Sequence, residues 1–331
     1  MRNRILYTLV WFLMPFLFAC KKDKPTTPLS HTVTSPEYED KLLFVNQNDF
    51  QILTDKPAEF SSDDPLIQIS SDGIIKRITS GEIVPINITW KDGSASPLKI
   101  YALGATDDNH DEPYASFHGN SATEAFNSYR QGWKTLQILP LINQSYGIIL
   151  RHGDADDGKD FTIAHPDDYE PSDWWKSCDP MLARQLNARG KARSLELGKI
   201  FKELNYPIAR VISSEFCRAV STAELINSGP VIQKDERINH PDHNTTGKGL
   251  FQGMLDIMHE QPVDNKMTLL VLHHPVNETG SSGGQTSFPL ISPFTWTGSS
   301  LVSISPDKTV TYQGAVSYAM FKYWRNLKLN K

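Results

Sequence analysis

Three short apolar runs, each ending in polar groups suited to an anion, constrain this chain more than any other feature. Gly147-Ile148-Ile149-Leu150 leads into Arg151-His152-Gly153. Arg210-Val211-Ile212 leads into Ser213-Ser214, with Cys217-Arg218 close behind. Leu269-Leu270-Val271-Leu272 leads into His273-His274-Pro275. Longer helical patterns lie between them. The clearest is Asn187 to Leu204, where Ala188, Ala192, Leu195, Ile200, Phe201 and Leu204 are expected to share a face. Strands alternating with helices predict a mostly parallel sheet covered by helices. Ligands of such sheets bind outside the carboxyl ends of the strands. If the three runs are parallel neighbours, two arginines and at least two histidines meet in one cleft. Arg218 then stands near a helix N-terminus, whose free N–H groups favour anions.

The preceding stretch has another texture. Leu66 to Ile69, Ile74 to Ile78, Ile83 to Trp90 and Leu98 to Tyr101 are short β-prone segments, punctuated by Ser71-Asp72-Gly73, Ser80-Gly81 and Lys91-Asp92-Gly93. Ile86-Asn87-Ile88-Thr89-Trp90 alternates like a strand with one buried face. Residues 41–120 are therefore read as a small β-sandwich-like domain, and residues 121–331 as an α/β domain. The second opens on a helix within Ala122 to Ile142 and closes on an amphipathic helix over Ala315 to Leu327. Asp107, Asp108, Asp111 and Glu112 form an acidic loop, read as a solvated one. Two domains also suit a length of 331 residues.

The N-terminus reads as a targeting segment. Arg2 and Arg4 precede an apolar stretch from Ile5 to Ala19 that is too short for a permanent bilayer span. The small residue Ala19 directly before Cys20 resembles a bacterial lipoprotein signal; a plain secretory signal is the other reading. The expectation is cleavage of residues 1–19, lipidation (palmitate and diacyl chains) of Cys20, and a flexible tether over residues 20–40, rich in Lys, Thr, Ser and Pro. The protein is then an outer-membrane lipoprotein of the cell envelope, with the membrane as a partner through its lipid. In an oxidising compartment the remaining Cys178 and Cys217 suit a disulfide, the alternative being two buried thiols.

A net charge of −5 and a pI near 6.1 argue against nucleic acid as a partner, which calls for a basic stripe. They leave a locally positive pocket for an anionic substrate open. His273-His274, with His240 and His243, admits a metal reading, but no His-Glu-x-x-His spacing occurs, and no metal is expected. The Gly/Ser run from Thr279 to Gly284 lacks the Gly-Lys-Ser/Thr of a phosphate-binding loop.

Residues from about 130 to 331 resemble the histidine phosphatase superfamily, whose fold is the phosphoglycerate-mutase-like three-layer α/β/α domain. Arg151-His152-Gly153 matches its first motif. Ser213, Ser214, Arg218, Thr222, Ala223 and Glu224 match its Ser-Ser-x-x-x-Arg-x-x-x-Thr-Ala-Glu pattern. Leu186 to Ala192 is similar to its Leu-x-x-x-Gly-x-x-Ala helix start, one residue tighter, and Val271-Leu272-His273 matches its second histidine.

The resemblance implies a metal-independent phosphomonoester or phosphoramidate hydrolase, with no cofactor and a small phosphorylated substrate. His152 would attack phosphorus to give a phosphohistidine. Arg151, Arg218 and His273 would bind the phosphoryl oxygens and stabilise their growing charge. The proton donor is the gap. His240 falls where mutase-like members carry a glutamate, and His274 falls where the acid-phosphatase branch carries an aspartate. His240, Asp242, Glu278 and Asp154 are the candidates. His165 to Tyr169 and Trp174-Trp175 lie in an insertion, read as a lid, a substrate wall or a packed excursion. Two other readings stand: a mutase or phosphotransferase, and a catalytically weak surface binding protein whose β-domain contacts a glycan or a protein.

Overall fold

The structure is a computed structural model that describes residues 31–45, 48–79, 81–104, 122–139, 144–164, 170–273 and 295–330. Residues 1–30, the acidic loop, His165 to Tyr169, His274, Glu278 and the Gly/Ser run lie outside the described residues.

The N-terminal part consists of β1 (Tyr38–Glu39), β2 (Leu42–Val45), β3 (Phe50–Gln51), β4 (Ala58–Ser61), β5 (Ile67–Ile69), β6 (Ile74–Ile78), β7 (Ile83–Trp90) and β8 (Ala95–Ala102). One sheet runs β1-β2-β8-β7-β4 and a smaller one β3-β6-β5. The alternation expected for β7 is present: Val84, Ile86, Ile88 and Trp90 are buried, and their neighbours Pro85, Asn87 and Thr89 are exposed. These four join Leu43, Ile75, Leu98 and Ile100 in one apolar core between the two sheets.

Strand β2 is buried on both faces, and this ties the two parts together. Leu43 and Val45 face the β core, while Leu42 and Phe44 enter a second core with Tyr101, Phe126, Tyr129, Trp133, Met320 and Phe321. Each large apolar side chain buried there contributes roughly 1.5–3 kcal/mol. The expected tether is correspondingly shorter. Val33 bridges Thr54, Tyr38–Glu39 forms β1, and Glu39 pairs with Arg130 and Lys134. The polar composition of residues 31–40 reads as linker, but partners distant in sequence satisfy its backbone.

The C-terminal part runs α1 (Ala122–Ile138), β9 (Ser145–Arg151), α2 (Phe161–Ala164), α3 (Ala188–Glu203), β10 (Ile208–Ser213), α4 (Cys217–Ile226), β11 (Ile232–Lys234), α5 (Leu250–Glu260), β12 (Met267–Leu272), β13 (Ser299–Ile304), β14 (Val310–Val316) and α6 (Tyr318–Leu329). The sheet order is β11-β10-β12-β9-β13-β14. The first four strands are mutually parallel, and the last two are antiparallel additions. Both faces are covered. Ile148, Leu150, Val211, Leu269 and Val271 pack into the core that includes residues of α1, α3, α4 and α6, while Ile149, Ile212, Leu270 and Leu272 pack against α5.

Two helix expectations are corrected. In α3 the buried residues are Gly190, Ser194, Leu197, Gly198, Ile200 and Phe201, whereas Ala188, Ala192 and Leu195 are exposed. Backbone approach set this face more than hydrophobicity did. A Cβ on Gly190 would lie 2.3 Å from the Asp154 carbonyl oxygen, and one on Gly198 would lie 2.1 Å from that of Ile226. The small residues therefore turn inward. At the C-terminus, Ala315 and Val316 finish β14, and Ser317 caps α6 by accepting from the Met320 N–H.

Candidate active site

The tips of β9, β10 and β12 are neighbours in the parallel ladder, with Leu272 opposite Arg151 and Ser213 opposite Val271. Backbone bonds extend the ladder past the strand ends. His152 N–H donates to Leu272 O at 2.9 Å, and Ser214 N–H donates to Val271 O at 2.9 Å. These bonds fix the positions from which Arg151, His152, Ser214 and His273 project. Arg218 comes from the first turn of α4, directly after β10. Arg151, His152, Arg218 and His273 are all buried, so the structure gathers the four residues that the sequence singled out.

The geometry around His152 assigns its protons. Nδ1 lies 2.8 Å from the Gly153 carbonyl oxygen, which only accepts, so Nδ1 carries the hydrogen. Nε2 accepts from Arg218 Nε–H at 3.3 Å, so its lone pair faces the cationic side. Burial holds this ring neutral, well below the usual histidine pKa, and the charges of Arg218 and Arg151 add to the effect.

The second histidine is fixed by a relay that the sequence did not reveal. Buried Asn239 accepts the Glu215 N–H through Oδ1 at 2.9 Å and donates through Nδ2 to Glu215 Oε2 and to the His243 carbonyl. The backbone N–H sets the amide orientation, so Ser214 Oγ–H must donate to Asn239 Oδ1, at 2.8 Å. Ser214 Oγ can then only accept from His273 Nε2–H, at 2.9 Å. His273 is also held neutral, by burial first and by Arg218 and His152 next.

Two further residues come from the segment between β9 and α3. Asp160, buried, pairs with Arg218 at 3.0 Å and with Arg184 at 3.3 Å. Burial pushes the Arg218 pKa down to about 10, which Asp160 opposes and the Arg184 charge reinforces. Arg184 and Arg218 thus share one carboxylate, and guanidinium donors suited to an anion stand beside His152. The Trp296 indole carries the Arg151 guanidinium at 3.7 Å from its ring centre and lies 5.1 Å from the His152 ring. No spacing rule linked Asp160, Arg184, Asn239 or Trp296 to the strand tips; only folding brings them there.

The proton-donor candidates are distributed differently. Asp154 is buried but pairs with Arg189 at 2.5 Å and with Arg193 at 3.6 Å, both on α3. His240 stands half exposed, 3.3 Å from the exposed Asp242. The structure brings neither Asp242 nor the exposed Glu224 into the buried cluster. In that run the buried residues are Ile238 and Asn239, and Asn239 is the polar one. Among the described residues no group of three or more His, Cys, Asp or Glu is arranged to hold a metal.

The described part of the insertion is a packed excursion. Trp174 is buried against Phe161, Ala183 and Phe216, and the Phe216 ring lies 4.4 Å from that of His273. A disulfide between Cys178 and Cys217 pins this excursion to the start of α4, one residue from Arg218.

No protein-family model matches the chain, and no curated protein matches it either. Solved structures do. The protein histidine phosphatase SixA, complexed with tungstate, is 19% identical at a TM-score of 0.34, covering 52% of this chain and 97% of that one. A phosphoserine phosphatase from Entamoeba histolytica with bound phosphoserine is 16% identical at 0.33, covering 53% and 98%. A putative alpha-ribazole-5'-P phosphatase from Escherichia coli is 17% identical at 0.32, covering 54% and 98%. These likenesses are too distant to place the chain in a family. The chemistry must be argued from its own residues.

Proposed function

We propose that this protein is a phosphomonoester or phosphoramidate hydrolase that works through a phosphohistidine on Nε2 of His152. The observation that carries the reading is the proton assignment on that ring. Nδ1–H is committed to Gly153 O, and the Nε2 lone pair points toward guanidinium donors in a buried positive pocket. An incoming phosphate replaces Nε2 as the acceptor of the Arg218 N–H and thereby exposes the lone pair to phosphorus. The N–P bond forms as the bond to the leaving oxygen or nitrogen breaks. Arg218 and Arg151 stabilise the charge spreading over the three remaining oxygens, while His273, its Nε2–H committed to Ser214, packs beside them as a neutral ring. The phosphorylated ring is cationic, and the Gly153 carbonyl dipole favours it. Water then attacks phosphorus, releasing phosphate and the neutral ring. Among the described residues the carboxylate nearest the site, Asp160, is committed to two arginines and is a poor donor to the leaving group. Good leaving groups are the natural substrates.

The apolar N-terminal segment ending at Cys20 and the Cys178–Cys217 disulfide support a place at the cell envelope, anchored by lipid, since disulfides persist in oxidising compartments. The test is turnover of para-nitrophenyl phosphate by the purified protein, with and without EDTA. Turnover that resists EDTA and vanishes in His152→Ala supports the reading; an active His152→Ala variant rejects it.

A further inference from the structure

A second cluster of cationic groups lies on the junction between the two parts of the molecule. A cleft of roughly 240 Å³, room for about eight waters at about 30 Å³ each, is lined by Glu82 and Lys99 from the N-terminal part. Arg193, Thr295, Trp296, Tyr318 and Lys322 line its other wall. Two lysines and Arg193, the last also paired with Asp154, line it together with Glu82. Among the described residues neither Lys99 nor Lys322 has a carboxylate within ion-pair distance. The cleft also meets the N-terminus of α6, a twelve-residue helix whose first-turn N–H groups have no partner within the helix. Ser317 satisfies that of Met320, while Tyr318 and Ala319 line the cleft.

An independent observation also points to a ligand. Thr295 is 2% exposed and lines this cleft, and among the described residues its Oγ1 has no hydrogen-bond partner. A buried hydroxyl without a partner costs roughly as much as a lost hydrogen bond, so it marks a place where an acceptor is expected. The next residue, Trp296, connects the two places. Its side chain lines the cleft and holds the Arg151 guanidinium beside His152.

We propose that this cleft is a binding site for a small oxyanion, phosphate or carboxylate, held by Lys99, Lys322, Arg193, the Thr295 hydroxyl and the α6 N-terminus. It adjoins the His152 pocket across Trp296. Because Lys99 comes from the β-rich part, that part completes the site, which gives it a role in recognition. The anion is either a second group of the substrate or a separate small anion. Its relevance to catalysis rests on the phosphatase reading, but its existence does not.

The test is calorimetric titration of the full chain with inorganic phosphate. Two sites are expected in the wild type. Arg218→Ala removes one, the double variant Lys99→Ala/Lys322→Ala removes the other, and Thr295→Val weakens that same other site about tenfold. Thermal melts confirm that the variants are folded. Propane-1,3-diol bisphosphate identifies the source. One molecule bound per chain, more tightly than phosphate at either site, assigns the cleft to the substrate. Two molecules bound without gain assign it to a separate anion. Phosphate binding unchanged in both the lysine and the threonine variants overturns the site. A cleft site that persists while Arg218→Ala changes nothing leaves this proposal standing and removes the phosphatase reading instead.

Discussion

Arg218 Nε donates to Nε2 of His152 across 3.3 Å, so a guanidinium covers the lone pair of that ring nitrogen. On the proposed mechanism, phosphate binding and release of the nucleophile are one event. Arg218→Ala removes both, and an expected fall in kcat/KM of about 10²–10³, with weaker competitive inhibition by inorganic phosphate, follows from losing one charge-assisted donor. Arg218→Lys should recover little, because an ammonium cannot present the planar fork. Steady-state kinetics with para-nitrophenyl phosphate check it.

The pH profile has a stated sign on both limbs. His152 is depressed well below 6.5, so the nucleophile stays neutral as pH falls through that value. After correction for the substrate's own second ionisation near about 6, kcat/KM should remain flat through 6.5. It should decline at the basic end, as pH rises through the lowered Arg218 pKa of about 10. A half-maximal point at 6.5 that belongs to the enzyme would contradict the burial argument.

Stability has a matching dependence. The unfolded chain protonates both histidines below about 6.5, while the folded state resists protonation, so the unfolded state binds more protons there. The stability contribution is complete above 6.5 and is lost as pH falls toward the folded-state values. Tm should drop between pH 7.5 and pH 5, and His273→Gln should flatten that slope. This variant keeps a side chain able to hydrogen-bond Ser214.

Reduction of Cys178–Cys217 opens a loop spanning 39 residues in sequence. The chain-entropy estimate for such a loop is about 4 kcal/mol. Two thiols should become titratable only after reduction, and Tm should fall. Because the bond fixes Cys217 beside Arg218, phosphate affinity should fall with it.

Gly190→Ala sets a methyl group 2.3 Å from the Asp154 carbonyl oxygen and 2.6 Å from its nitrogen. Both are backbone atoms and cannot rotate away, so about 2–3 kcal/mol of destabilisation is expected. Denaturant unfolding measures it. An equal loss of activity under conditions where the variant is fully folded would show that α3 also positions the nucleophile loop.

The strands were legible because burial writes itself into sequence. The apolar runs before Arg151, Ser213 and His273 became adjacent parallel strands, and the alternation in β7 became its two faces. The buried face of α3 was not legible, because close backbone approach at Gly190 and Gly198 outweighed the apolar residues that a helical period counts. The cluster of arginines and histidines was readable as three strand ends. Asp160 and Arg184 were not, since they reach the pocket from an insertion without periodicity. Asn239 was hidden for a related reason. Sequence position drew attention to His240, and the fold turned the residue before it inward.

The most direct test of the account is rapid acid-free quenching of the protein with a labelled aryl phosphate, followed by mapping of the labelled residue. The account predicts a label on His152 that is stable in alkali and labile in acid, and absent from His152→Ala. A label elsewhere, or turnover with no phosphoenzyme in a protein that shows a pre-steady-state burst of the leaving group, would contradict it.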